Sequence, residues 1–431
     1  MRASRLLVLA VLPCLSAACV ASTPIDASGD GDDVTDDLTD VVTLAGCDVL
    51  VVGGGTGGVA AAHEAASLGA HVCLTEETEW LGGQFTTQAV PLDTGWHDAS
   101  LTMTAYLDAV RASYHQSYPG WPSDHQNPGE CGREICFEPS VGEGVLEAAV
   151  LGPLVQSGKL RVFKQYRPIS VTKSGNAVVG VTFRTGTQGT VYAPAKITID
   201  ATEFGDLLPA TMEGGPGANA RYRIGRDAPN AYSPRERDAQ YEWDQNHTPW
   251  PAGDTGDSEC TQRLTYVFDV QYLPNDVNPG DPGVPASAPP GYDPSHYCPT
   301  WPTRCTLDVQ FDTSGECDGT QCKSWWNWRR VKSGRRLVGD LSQSLAPDGS
   351  ADPAYQDITS INYFHANDFA WDEAWCGPYG CDPAEQGYAV RQAILGYARD
   401  FSLGYFWYLR NDVLRPDGHV GYKNLRTRPS V

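Results

Sequence analysis

The sequence predicts an α/β chain: a parallel-sheet domain carrying a β-meander insertion, followed by an irregular, disulfide-containing lobe that ends in helix. Three observations predict it. "CDVLVVGGGTGGVAAAHEAASLGAHVCLTEE", residues 47–77, reads as strand, glycine turn, helix, strand and acid. Residues 160–202 are rich in β-formers and broken by "KSGN" and "TGTQG", two hairpin-like turns, before the apolar run Ile197 to Ile199. Beyond Pro209 the chain is rich in Pro, Gly, Tyr, Trp and Cys, and it turns helical and aromatic only from Gln386 to Asn411.

The first segment carries the chemistry. Val49 to Val52 is a continuous apolar run, which suits a strand buried on both faces of a parallel sheet. Gly53-x-Gly55-x-x-Gly58 follows directly. Gly53 permits the tight turn, Gly55 lets the backbone approach a pyrophosphate, and Gly58 allows the helix to pack closely on the strand. The helix, expected over 58–68, aims its N-terminal amides at the phosphates. A second strand, Ala70 to Thr75, delivers Glu76, which lies 21 residues after Gly55 and suits a carboxylate that accepts from an adenosine ribose. The pattern is that of a Rossmann-like dinucleotide site. By itself it does not separate FAD from NAD, because both carry ADP.

Export is the second expectation. Arg2 and Arg5 precede the apolar run Leu6 to Leu12, and Ser16, Ala17 and Ala18 end at Cys19, the layout of a secretory signal over 1–18. "LSAAC" resembles a bacterial lipobox, with Leu15 four positions before Cys19. Two outcomes stay open, a lipid anchor through Cys19 or simple cleavage. The chain is then exported to the periplasm or cell surface. Residues 19–45, with Asp26, Asp30, Asp32, Asp33, Asp36, Asp37 and Asp40, have too few apolar side chains to offset their ordering entropy and read as a disordered acidic linker.

Composition narrows the partners. With 31 Lys plus Arg against 53 Asp plus Glu, nucleic acid is disfavoured as a partner. The basic run Arg329 to Arg336 reads as a solvated or structurally paired strip. The 13 cysteines fit an oxidising compartment. Cys131/Cys136, Cys298/Cys305, Cys317/Cys322 and Cys376/Cys381 read as short local disulfides, whereas Cys47 and Cys73, on the first two strands, read as buried thiols. No metal site is expected.

Beyond the glycine turn, the meander ends in "IDATEFGD", residues 199–206, and "LGGQFT", Leu81 to Thr86, adds a second glycine doublet. Together these segments resemble the FAD-dependent oxidoreductases with a glutathione-reductase-type FAD-binding domain, including relatives of the heterodisulfide reductase flavoprotein subunit. The resemblance covers 46–90 and 140–212 well and 327–369 more loosely. It implies FAD as cofactor, held by Gly53, Gly55, Gly58, Glu76, Gly82, Gly83, Gln84, Thr202, Gly205 and Asp206.

The same resemblance implies an oxidoreductase acting on a small-molecule substrate with an unidentified redox partner. The domains are then an FAD-binding domain over 46–210, interrupted by a Trp-, Tyr- and Pro-rich insertion at 91–140, and a substrate or cap lobe over 211–431. His365 and Asp368 of "HANDF" are the acid/base candidates, since a hydride donor with an OH or NH needs a proton acceptor. Three departures stand out. Glu203 sits where the family turn often has glycine. Pro168 has no N–H to offer adenine. The chain stops at "NLRTRPSV" without the family's late glycine-rich segment and helix. A dinucleotide-fold protein without turnover, or an iron-sulfur-linked electron-transfer flavoprotein, are the alternatives.

Overall fold

The computed structural model describes residues 41–44, 46–90, 101–118, 126–129, 131, 135–186, 189–222, 226–227, 256–257, 264–273, 275–298, 317–318, 321–322, 329–332, 357–362, 368–369, 387–415 and 418–428. The signal, Cys19, His365 and most of the expected linker lie outside them; the linker's end is not disordered, because Val42–Thr43 pair as a strand with Val191 and Tyr192.

A seven-stranded sheet organises the first half. β1 (Val42–Thr43), β2 (Cys47–Val52), β3 (Val72–Glu76), β4 (Leu160–Lys164), β5 (Tyr166–Ser174), β6 (Ala177–Thr185) and β7 (Gly189–Asp200) run in the order β4-β3-β2-β7-β6-β5, with β1 also on β7. β2 is parallel to β3 and to the second half of β7, Ala195 to Asp200. The first half of β7, Gly189 to Pro194, is antiparallel to β6. One strand thus passes from the meander into the parallel sheet and delivers the "IDATEFGD" turn to the glycine turn's side.

Both faces of β2 are covered, as its apolar run predicts. Val49 and Val51 pack with Val72 and Leu74 against α1 (Thr56–Ser67), α2 (Leu101–Ser117) and α3 (Pro139–Val145). Leu50 and Val52 pack with Val171, Val181, Phe183 and Val191 of the meander. Each such fully buried side chain contributes about 1.5–3 kcal/mol.

Before the meander the chain is helical in three pieces in series: α3, a π-helical turn Leu146–Leu151, and α4 (Gly152–Gln156). The 91–140 insertion contains a helix that the Trp/Pro-based reading overlooked. Tyr106, Leu107, Val110 and Tyr114 of α2 recur at helical spacing and are all buried in the same cluster as β2.

Cys47 and Cys73 are not free thiols, because they form a disulfide across β2 and β3. Adjacent parallel strands bring their Cα atoms to 5.8 Å, within bridging range. Of the four short pairs expected, Cys131–Cys136 is bonded. Cys298 is also disulfide-bonded. Cys317 and Cys322 face each other in register across a two-stranded ladder, their side chains lying outside the described residues with Cys305 and the Cys376/Cys381 pair.

The second half is more regular than its composition suggests. Strands Arg330–Lys332, Asp357–Ile361, Phe268–Tyr272 and Leu425–Thr427 form an antiparallel sheet in that order. The long helix Tyr388–Asn411 covers it, with Tyr405, Phe406 and Leu409 packed on Phe268, Val270, Ile361 and Leu425. These strands come from four distant segments, so no local repeat announces the sheet. The basic run proves structurally paired where it is described: Arg330 and Lys332 are buried and lie 3.6 Å from Asp357 and 3.8 Å from Glu138. Among the described residues no helix is long and apolar enough to cross a membrane.

Candidate cofactor and substrate site

The glycine turn is a tightly fitted cradle. Gly53 has φ +102°, in the left-handed region, and a Cβ there would come 2.2 Å from the Ala201 carbonyl oxygen. A Cβ on Gly58 would come 1.8 Å from the Gly53 oxygen, so only glycine lets α1 pack this closely on β2. Gly57, one residue earlier, has nothing within 4 Å. Gly55 is the N-cap of α1 and has no side chain to obstruct a ligand approaching the helix's free amides.

Glu76 ends β3 beside this turn. Its Oε2 accepts from the Gly54 N–H at 2.7 Å and its Oε1 from the Thr78 N–H at 2.8 Å. Each carboxylate oxygen has a further lone pair, so the group is held in place while still able to accept from ribose hydroxyls.

The second doublet closes over the first. Gly82 donates its N–H to the Gly54 carbonyl at 2.8 Å, and its own carbonyl accepts from Thr56 Oγ1 at 2.9 Å. Gly83 opens a 3-10 turn, Gly83–Phe85, and the Gln84 carbonyl accepts from the Val90 N–H at 2.9 Å. Opposite lies the end of β7. Asp200 accepts from Thr202 N and Oγ1 at 3.1 and 2.8 Å and from Leu207 N at 3.0 Å, while Thr202 Oγ1 accepts from the Asp206 N–H at 2.7 Å. Gly205 supplies the turn's positive φ. The Asp200 carboxyl is raised by burial, against the lowering effect of these bonds.

The sequence-predicted cofactor residues therefore converge on one end of the sheet, on both sides of one groove. Asp206 has an additional engagement: its carboxylate pairs with Arg391 of the long helix, which ties that helix to the turn. The cradle fits a dinucleotide on two observations of the structure: the space that a Cβ would fill at the helix N-terminus, and an acid, Glu76, held by backbone amides beside the turn.

Next to the second doublet is a cavity of about 260 Å³, bordered by Trp80, Thr86, Thr87, Phe268, Asp269 and Arg428. Asp269 sits opposite Ser360 in the antiparallel sheet and accepts from its Oγ at 2.8 Å. Burial pushes its carboxyl up to about 7, with Glu138 adding to the rise and Ser360 and Arg428 opposing it. Arg428 in turn pairs with Glu138, whose other oxygen accepts from Tyr114 OH at 3.3 Å.

A buried acid whose proton affinity lies near neutrality, at the wall of a cavity, has the properties of a proton acceptor. Sequence reading missed Asp269. The signal was its alternation with Phe268 and Val270, which looks like an ordinary solvent face. Of the earlier candidates, His365 lies outside the described residues. Asp368 is described only in its backbone, which pairs with Thr265 in a two-residue ladder. Among the described residues no cluster of His, Cys, Asp and Glu could hold a metal ion.

The family model described as "FAD dependent oxidoreductase" matches residues 48–346. No curated protein matches the chain. Among solved structures, the chain is similar to L-proline dehydrogenase from P. horikoshii (18% identity, 38% of this chain and 23% of that one, TM-score 0.22). It is also similar to 3-ketosteroid-delta4-(5alpha)-dehydrogenase from Rhodococcus jostii RHA1 (18%, 38% and 46%, 0.25) and to an FAD-complexed glycerol-3-phosphate dehydrogenase from Bacillus halodurans (17%, 36% and 34%, 0.23). The chain spans less than half the length of each.

Proposed function

Because the chain belongs to the FAD dependent oxidoreductase family, with FAD as its cofactor, we propose that it is an exported enzyme that oxidises a small hydroxyl- or amine-bearing compound in the cavity beside Asp269. The observation that carries this reading is the cavity itself. It borders the loop that follows Gly82 and Gly83 on one side and presents a buried acid on the other.

When bound, FAD supplies a two-electron acceptor for the hydride of the substrate C–H bond. The chain's residues do the rest. Gly53, Gly55 and Gly58 leave room for the pyrophosphate, and Glu76 accepts from the ribose. Asp269 takes the O–H or N–H proton, so the product leaves as a carbonyl or imine. Arg428, fixed by Glu138, sets a positive charge at the cavity wall that orients the substrate oxygen or nitrogen. His365 and Asp368 are a second proposal for the proton acceptor.

Export is supported by Cys47–Cys73 and Cys131–Cys136, since disulfides persist in oxidising compartments, and by the signal-like N-terminus, which ends either in acylation of Cys19 or in simple cleavage. The redox partner that reoxidises the flavin is unidentified. The reading is tested by mixing the flavin-loaded chain anaerobically with a panel of alcohols and amines and following loss of flavin absorbance. Reduction by a member of the panel that is slowed at least about a hundredfold in Asp269→Asn supports it. Equal rates in both proteins would remove Asp269 from the chemistry.

A further inference from the structure

We propose that Glu203 holds a carboxylate in the pyrophosphate path of the cradle, so that this residue, rather than the glycines alone, sets how tightly the chain takes up FAD.

The position of its side chain is defined from two sides. A Cβ on Gly55 would come 2.8 Å from Glu203 Oε1, and a Cβ on Gly83 would come 3.3 Å from the same oxygen. One carboxylate oxygen therefore lies between the N-cap of α1 and the second glycine doublet, the two segments that line the groove. Glu203 is exposed as a residue, while its carboxyl, set against Gly55 and Gly83, is the partly desolvated end.

The location follows from electrostatics. The first turn of α1 contains no acidic residue of its own, and its unpaired amides favour negative charge. Glu203, delivered by the end of β7, supplies that charge. What suits a carboxylate there also suits a phosphate, and the two negative groups compete. Among the described residues, three influences act on Glu203. Burial raises its carboxyl, Gln88 holds it down, and Glu76 raises it again. The cradle thus already contains two carboxylates, Glu76 and Glu203, before a pyrophosphate enters. Glu76 is tied to backbone amides and faces the ribose position, so Glu203 is the acid that must swing out or be neutralised.

This inference rests on the reading that the Gly53–Gly58 turn holds the pyrophosphate, and the test separates the two. The full chain is stripped of flavin, and binding of ADP and of adenosine is measured by calorimetry for the parent, Glu203→Gln and Glu203→Gly. The expected result is ADP bound about tenfold more tightly by both variants, a change of about 1.4 kcal/mol, with adenosine bound equally by all three. ADP affinity that is unchanged or weaker in the variants, with adenosine still bound, would overturn the role of Glu203 and leave the cofactor site standing. ADP bound no more tightly than adenosine by any of the three would show that no pyrophosphate site exists and would overturn both.

Discussion

Ser360 Oγ donates to Asp269 Oδ1 at 2.8 Å, joining two residues 91 positions apart that face each other in register across an antiparallel sheet. The bond fixes an acid that burial has raised from 3.8 to about 7. Because the folded value lies above the unfolded one, the folded chain keeps a proton that the unfolded chain loses between about pH 4 and 7. This contribution to stability is present at low pH and is lost as pH rises through that window. Asp269→Asn should flatten that part of the dependence of melting temperature on pH. A variant whose profile parallels the parent's would show that Asp269 does not titrate with a raised value. In turnover the sign reverses. The base must be deprotonated, so kcat/KM should rise with pH up to about 7 in the parent.

Gly57 and Gly58 are adjacent, yet the structure predicts opposite outcomes for them. Gly58→Ala drives a Cβ into the Gly53 carbonyl and should destabilise the chain by about 1–3 kcal/mol. Gly57→Ala meets nothing and should be neutral or stabilising by up to about 1 kcal/mol. Denaturant titration of the flavin-free chains compares them, and equal losses would mean that the close approach of α1 to β2 is not real.

Glu76→Gln places an amide that donates where a carboxylate accepts from the Gly54 and Thr78 N–H groups. Hydrogen bonds to a charged group contribute about 1.5–3 kcal/mol each. The variant should therefore lose stability of that order and bind adenosine more weakly. Unchanged adenosine affinity would separate Glu76 from the ribose.

Reduction of Cys47–Cys73 should lower stability by on the order of 3 kcal/mol, given the 26-residue separation that the bond closes. Its test is the melting temperature of a Cys47→Ala/Cys73→Ala double variant against the parent, in oxidising and reducing buffer. A variant as stable as the oxidised parent would show that the bond is not structural.

How much was legible in the sequence follows from how local each feature is. The cradle could be read because its glycines, helix and acid are set by backbone geometry within residues 47 to 77. The meander could be read because each hairpin turn has its own residues, such as Gly175 with φ +61° between β5 and β6. α2 was equally local, its buried Tyr106, Leu107, Val110 and Tyr114 at helical spacing, but the surrounding Trp and Pro drew attention away from it.

The antiparallel sheet was not local. Phe268–Tyr272 finds its neighbours at Asp357–Ile361 and Leu425–Thr427, and pairings of such separation leave no mark on either segment alone. Asp269 was hidden for that reason: the polar side of its strand is itself buried, Gln271 included. Cys47 and Cys73 misled in a related way. Two apolar strands explain buried thiols well enough, and only strand adjacency brings the sulfurs together.

Retention of FAD by the glycine cradle can be measured directly. The most direct measurement is the flavin released on denaturing the purified chain, quantified by absorbance after incubation with excess FAD and removal of what is unbound, for the parent and for Gly55→Val. Near-stoichiometric FAD is expected in the parent and little in the variant, whose side chain fills the approach to the pyrophosphate. A parent that retains no flavin, or a folded variant that retains as much as the parent, would contradict it.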